Sequence, residues 1–597
     1  MWLSILWFCA FFSFTQALWP VPVEFTSGNT VLWIAPNVKV TYNGGNVRWS
    51  PQTYSKNGQT ENMWIEQLTT NTPEAPAAYT NHSMVEAAVA RTMQAIFTQN
   101  IVPWKLHPRN ELYKFEPAAN STKTYISSLT ITQTGTDTVD TFKPLAGAVD
   151  ESYNVTITED GKAAISGVSS TGILHGLQTF SQLFYQHSSD AGIYINMAPV
   201  AIRDAPKFSH RGLNIDISRN WYPVSSITKT IDALSWNKFN RLHLHMTDAQ
   251  SWPMDIPALP ELSKKGAYQV GLSYSPADIA YIQSYAQSRG IEVIIEIDMP
   301  GHTSVIGLAY PELIAAQDAQ PWDTYCAEPP CGQLKLNSSA VDTFLETLFD
   351  DILPRVYPYS AYFHTGGDEV NVQDYLLDET VQSNLTSVIK PLLQKFLDRN
   401  HDQIRSKGLT PIVWEEMLNT WNLTLGDDVL VQTWGVTPTS VHDVVASGHK
   451  VLFGDSSFWY LDCGKGQWLD FTNESFQTYY PFPDYCSPTK NWRLVYSYDP
   501  TANMTAEELA LVAGGEVHLW SEQTDPVSVE YMLWPRASAA GEVLWSGRQD
   551  ASGQNRSQID ASPRLAELRE RMVNRGVAAG PVQMVFCTQH NATECSL

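Results

Sequence analysis

Two adjacent carboxylates, Asp368 and Glu369, close the run His364-Thr365-Gly366-Gly367-Asp368-Glu369. On a regular strand, neighbouring side chains point to opposite faces, so the pair could not serve one pocket. Gly366 and Gly367 let the backbone leave strand geometry, and both acids can then converge. Neighbouring carboxylates held in unequal surroundings are a route to acid/base chemistry. Other groups of the right type stand in similar contexts: His243-Leu244-His245-Met246-Thr247-Asp248, Asp298-Met299-Pro300-Gly301-His302, Trp459-Tyr460-Leu461-Asp462, and Trp520-Ser521-Glu522. Trp414 and Trp434 end two further apolar runs. Each of these has an ordinary structural reading as a turn, cap, ion pair or core residue. Their recurrence at the ends of successive runs points to one site.

The elements that must position them are legible as alternating runs. Buried strands are expected at 211–217, 241–246, 291–297, 361–364, 411–414, 429–433, 450–453 and 515–519, with helical patterns between them at 225–236, 275–288 and 341–356. Eight strand–helix steps after about residue 200 predict an α/β fold, a (β/α)₈ TIM barrel whose chemistry sits at the C-terminal ends of its strands. An open doubly wound sheet is the runner-up, but no glycine-rich nucleotide turn follows the first strand. Before the barrel, residues 18–200 alternate short strand-like runs with turns. Helices are expected at about 83–98 and 172–184, giving a smaller α+β domain with a polar, processed or looped segment within about 52–100. The barrel is expected over 201–550, and residues 551–597 are expected to form a C-terminal helix near 563–575 and a stapled tail.

Residues 1–17 are almost wholly apolar and end in Thr15-Gln16-Ala17, which reads as a secretory signal peptide. Of seven cysteines, six lie beyond it and cluster as Cys326/Cys331, Cys463/Cys486 and Cys587/Cys595. Fifteen connectivities are open in principle, and three short staples are the simplest. Asn-x-Ser/Thr acceptors stand at Asn81, Asn120, Asn154, Asn337, Asn384, Asn422, Asn473, Asn503, Asn555 and Asn591. An extracellular, glycosylated protein is expected. A formal charge of −24 argues against nucleic acid and anionic lipid as partners. No later apolar run is long enough to span a bilayer, so no membrane association is expected in the mature form. No His/Cys cluster has zinc-ligand spacing, so neither metal nor cofactor is expected.

Taken in order, Arg211-Gly212-Leu213…Asp216-Ile217-Ser218-Arg219, Lys238-Phe239-Asn240…Asp248, Gly301-His302-Thr303, His364 to Glu369, Gly514-Gly515-Glu516…Glu522 and Leu533-Trp534-Pro535-Arg536-Ala537 resemble glycoside hydrolase family 20, in particular its secreted fungal-type β-N-acetylhexosaminidases. The match covers roughly residues 200 to 550. Asp150-Glu151-Ser152-Tyr153 and Gly172…Phe180 are similar to the family's accessory domain.

The resemblance implies an exo-acting hydrolase of terminal β-linked GlcNAc or GalNAc, with chitin oligomers or glycans as substrates. It further implies a retaining, substrate-assisted mechanism, an exception to the two-carboxylate scheme. On that basis Glu369 is the general acid/base, Asp368 and Tyr460 hold the acetamide, and Trp414, Trp434 and Trp520 wall it. Arg211, Asp462 and Glu522 bind hydroxyls, while Asp248 and His302 support Glu369. Ala249 stands where many members carry a second Asp. Family members of this type are often homodimers, although no spacing here defines an interface. The competing readings are a two-carboxylate glycosidase of other sugar preference and a catalytically silent carbohydrate-binding protein on the same scaffold.

Overall fold

The computed structural model describes residues 18–49, 81–435, 437, 439–470, 480–590 and 594–595. The leader, most of the 52–100 segment, and the acceptors Asn473 and Asn591 therefore lie outside the described residues.

Eight parallel strands close into a barrel in chain order: His210–Asp216, Arg241–His245, Glu292–Glu296, Tyr362–His364, Thr410–Trp414, Leu430–Gln432, Lys450–Phe453 and Val512–Leu519. The eighth pairs with the first over six residues, from Gly514 with His210 to Leu519 with Ile215. These strands read as apolar runs because both faces are covered. Leu242, Leu244, Val293, Ile295, Val517 and Leu519 meet the surrounding helices. Ile294, Tyr362, Ile412, Leu430 and Leu452 meet each other in a separate cluster. Helices Val224–Trp236, Pro276–Gln287 and Ser339–Val356 fill predicted gaps. The second begins on a capping box in which Ser275 accepts from the Asp278 N–H and Asp278 reaches back.

The preceding residues form a seven-stranded mixed sheet. Its strands Tyr153–Ile157 and Lys162–Gly167 alternate buried and exposed positions, as a sheet with one covered face should. Helices Asn81–Phe97 and Ser170–Gln182 cover it. The first of these matches the helix expected at about 83–98, although it lies in the later part of the 52–100 segment, and its Val85, Val89, Met93 and Ile96 are fully buried in this core. The tail carries helix Gln558–Asn574.

All three cysteine pairs close as expected, Cys326–Cys331, Cys463–Cys486 and Cys587–Cys595. Acceptors Asn120, Asn154, Asn337, Asn422, Asn503 and Asn555 are exposed, which is compatible with an exported glycoprotein. Among the described residues no helix is long and apolar enough to cross a membrane.

Arg211 requires a correction. It is the second residue of the first strand, at the end opposite the site, and period-two alternation turns it away from the barrel axis. Its guanidinium forks onto Glu151 of the small domain (Nη1 to Oε1, 3.0 Å; Nη2 to Oε2, 2.5 Å) and donates to the carbonyls of Lys238 and Phe208. Lys238 reaches Asp204 and Tyr153 in the same interface, and Trp545 donates to Asp204. Arg211 thus joins the two sheets and does not reach a ligand.

Burial opposes ionisation of Glu151, but Arg211 overcomes it and holds the carboxyl below its ordinary value. A depressed carboxyl adds stability above its unfolded value and loses it as pH falls through the folded one. Arg211→Met should cost about 3 kcal/mol or more by stranding a buried Glu151. Thermal unfolding should show this at neutral pH, shrinking in acid, with KM unchanged in the folded fraction.

Candidate active site

At the C-terminal ends of the strands lies a cleft of about 370 Å³. Strand four ends at His364, and the chain turns through Gly366 (φ 64°) and Gly367 (φ 107°). The turn leaves no room for larger residues. A Cβ on Gly366 would fall 1.8 Å from Asp298 Oδ1, and one on Gly367 would meet Met417 at 2.8 Å. Gly367 N–H donates to that same Asp298 oxygen at 2.8 Å. The result brings both Asp368 and Glu369 to the cleft. Glu369 itself adopts φ 51°, and His302 adopts φ 54°, a left-handed conformation that non-glycine residues occupy only when their surroundings impose it.

The supporting residues converge as the sequence suggested. His302 Nε2 lies 3.2 Å from Glu369 Oε2 and 3.9 Å from Asp368 Oδ2, and its Nδ1 lies 3.1 Å from Asp248 Oδ1. Burial disfavours the imidazolium, but Asp248 and Asp368 outweigh it and hold the His302 pKa well above the ordinary value. Asp368 is shifted upward, first by burial, against the pull of His302. Beneath it, burial and the Asp368 charge push Asp298 well above the usual carboxylate range. Glu416 is raised by the same two causes, and its Oε1 accepts from the Trp434 indole at 3.0 Å. Sequence reading placed Asp298 in a strand-end run without a role and missed Glu416, which sits in a short helix, Glu416–Asn419.

Trp434, Tyr460 and Trp520 line the cleft, with Trp434 and Tyr460 stacked at 6.4 Å. Burial pushes the Tyr460 phenol well up, so the hydroxyl keeps its proton as a donor. Trp414 lies behind this wall, only 1% exposed, with its indole N–H committed to Glu296 at 2.8 Å. Asp462 and Glu522 line the opening; burial raises them to about 7 and about 8, the latter against the pull of Arg219.

Arg219 occupies the place expected of Arg211. It contacts Asp248 at 2.9 Å and Glu328 at 2.5 Å, and lies over the Trp520 ring at 5.4 Å. Its signal was present, since Arg219 stands three residues beyond the end of the first strand, where barrel chemistry belongs. Glu328 had no comparable signal. It is held in the loop stapled by Cys326–Cys331, over which sequence periodicity says nothing. Trp322, Trp468 and Tyr485 complete the outer lining.

Paired carboxylates, a cationic histidine and aromatic walls at the mouth of a parallel barrel define the class of barrel glycoside hydrolases. Residues 208–548 match the glycosyl hydrolase family 20 catalytic domain, and residues 18–183 match a beta-acetyl hexosaminidase-like domain. The chain therefore belongs to glycoside hydrolase family 20, and it is a glycoside hydrolase. It is 41% identical to a beta-hexosaminidase of Arthroderma benhamiae over 98% of each chain. It is also 34% identical to the human beta-hexosaminidase subunit beta over 80% of each. A Vibrio harveyi exo beta-N-acetylglucosaminidase in complex with N-acetylglucosamine shares its fold (TM-score 0.69, 19% identity, 95% of this chain and 78% of that one).

The glycine turn supplies a sharp test. Gly366→Ala should leave the protein folded but displace Asp298 and the acidic pair. A misplacement of that size costs about 100-fold in kcat, measurable on any turned-over glycoside. A variant within threefold of the wild type would show that the turn tolerates a side chain.

Proposed function

We propose that the protein is an exo-acting β-N-acetylhexosaminidase that removes terminal GlcNAc or GalNAc by a retaining, substrate-assisted reaction. The observation that carries this reading is the asymmetric acidic pair: Asp368 half-buried above Asp298, and Glu369 more exposed with His302 Nε2 3.2 Å from its carboxylate. The volume of the cleft, about 370 Å³, is on the scale of one small ligand, which suits a terminal sugar.

In this reading Glu369 protonates the departing glycosidic oxygen as the C1–O bond breaks. The substrate's own acetamide oxygen bonds to C1 in its place, giving an oxazolinium ion. Asp368 accepts the acetamide N–H and balances the charge that the ring acquires. Tyr460 donates to the acetamide oxygen, and Trp434 and Trp520 confine the methyl group, with Trp414 as their backing. Confinement makes the attack effectively unimolecular, worth on the order of 7 kcal/mol when alignment is good. Water, deprotonated by Glu369, then opens the ring at C1. Arg219, Asp462 and Glu522 are charged donor and acceptors suited to hydroxyl pairs. His302, pinned by Asp248, orients Glu369.

The reading is tested by two matched chromogenic substrates, a β-N-acetylglucosaminide and the β-glucoside lacking only the acetamide. A preference of about a thousandfold for the first is expected, since an absent nucleophile cannot be replaced by binding. Equal rates would demand an enzyme nucleophile and overturn the mechanism. Glu369→Gln should lower kcat by about 10²-fold or more with binding of the sugar retained.

The pH dependence follows from Asp368. Its pKa is raised by burial, and the reaction needs it ionised. Activity should therefore fall as pH drops through a value above the ordinary aspartate range. An acid limb of kcat/KM at or below that range would remove Asp368 from the ionised role.

A further inference from the structure

Below the cleft, a set of buried titratable groups takes no part in these steps. The inward-facing positions of strands one, two, three and eight join in one file of hydrogen bonds. His210 Nε2 meets Glu516 Oε1 (2.7 Å), Glu516 Oε2 meets His243 Nδ1 (2.9 Å), and His243 Nε2 meets Glu296 Oε2 (3.0 Å). Glu296 Oε2 meets His245 Nδ1 (2.5 Å), and His245 Nε2 meets Asp248 Oδ2 (2.7 Å). Asp248 Oδ1 and His302 then lead to Glu369. His210, Glu516, His243, Glu296 and His245 are at most 1% exposed.

The chemistry of the links fixes the protons. A carboxylate only accepts, and a neutral imidazole carries one N–H. His243, His245 and His302 each present both ring nitrogens to carboxylates, so each link is complete only if these rings are cationic. Glu296 is the junction. Its second oxygen takes the Trp414 indole at 2.8 Å, and His364, whose Nδ1 accepts from the Gly366 N–H, lies 3.1 Å away.

We propose that Glu296 is a positioning residue for Glu369, a buried anion that keeps His243 and His245 as imidazoliums and so fixes the Asp248–His302 arm. With His245 and Arg219 held on Asp248 Oδ2, only Oδ1 remains for His302 Nδ1, and His302 Nε2 is thereby aimed at Glu369. The inference rests on the reading of Glu369 as the general acid/base. The file is not a proton conduit, because at its far end His210 Nδ1 is buried without a hydrogen-bond partner among the described residues. It acts through fixed charge.

The contrast among the histidines agrees. Burial opposes a charge on His243, yet Glu516 and Glu296 hold it at about 9. His245 is raised too, against burial, by Glu296 and Asp248. His518, which has no such bracket, is pushed down by burial to about 3, and His364 and His210 are also lowered. The other charged groups facing the arm are Asp368, Asp298, Glu328 and Arg219.

Glu296→Gln keeps shape and removes the anion. Losing it discharges His245, the nearer positive end, and so weakens the positive field along the Asp248–His302 arm. The alkaline limb of kcat/KM should move up by about half a pH unit or more. We expect kcat to fall at least about tenfold with KM within about twofold, the pattern of a group acting in the transition state. The strongly deshielded imidazolium N–H proton signals of the wild type should be lost. A folded variant with an unmoved limb and intact N–H signals would overturn the proposal. If Glu296→Gln does not fold, Glu516→Gln reads the same limb two links further away. A smaller shift in the same direction supports the file, and no shift refutes it. A wild type with these N–H signals but no release of acetamido sugar would fault the proposed function alone, and a wild type without the signals would fault the file.

Discussion

Carboxylates taken out of water must find a cation or keep a proton, and that constraint shapes the mouth of this barrel. Asp248, Glu328, Asp368, Glu369, Asp462 and Glu522 share one cleft with Arg219 and His302 as cations. How far each acid is shifted depends on how many cations it meets against its burial. Asp248 meets Arg219, His245 and His302, and is held below its ordinary range although burial works against it. Asp298 and Glu416, on which burial and the Asp368 charge act most strongly, are pushed well above the usual carboxylate range. The Asp298 side chain draws the Asp368 pKa down by hydrogen bonding, against the rise that burial causes. The site is therefore graded from fixed anions through shared protons to a partly exposed Glu369, without any residue needing unusual intrinsic chemistry.

The motif-bearing segments divide between the two ends of the barrel. At one end, Glu151, Tyr153, Asp204, Arg211 and Lys238 bind the small sheet to the barrel, and Trp545 from the barrel enters the small domain's core. At the other, the loops carry the acids and aromatic walls. The interior between them is split in the same way: an apolar plug of Ile294, Ile412, Leu430 and Leu452, and the file of His and Glu running to the cleft. A barrel strand can serve both ends because alternate side chains face opposite ways. Arg211 and Arg219 illustrate it, one facing outward near the start of the first strand and one just past its end.

Sequence captured the barrel because parallel buried strands are short apolar runs with helical patterns between them. The expected strand limits fall within about three residues of those observed, the largest gap being at the start of the eighth strand, Val512–Leu519. The acidic turn, His302, Asp248 and the aromatic residues were legible for the same reason: each follows a strand. Arg211 carried a sugar-binding role only through the resemblance, while its place at the start of the strand and its outward parity put it at the opposite end of the barrel. Glu328 was illegible, since a loop between two cysteines carries no period. Glu296, His243 and Glu516 were visible as polar residues at alternate positions of apolar strands, a pattern that marks an inward-facing polar layer and was open to reading.

Both partners of the His302–Glu369 hydrogen bond sit in left-handed conformations. Two such residues cost on the order of 1–3 kcal/mol each, and neither is a glycine that would adopt them freely. What holds them is the packing of their loops. The Asp368 carbonyl lies 3.0 Å from where a Cβ on Gly301 would be, so the His302 loop and the acidic turn are in direct contact. Asp298 ties the turn below, and Asp248 ties His302 from the side. The strain is held between two buried anchors, Asp298 below the turn and Asp248 beside His302. Removing either anchor would release it, and that makes these two buried carboxyls, with the loop packing they pin, the determinant of where Glu369 stands.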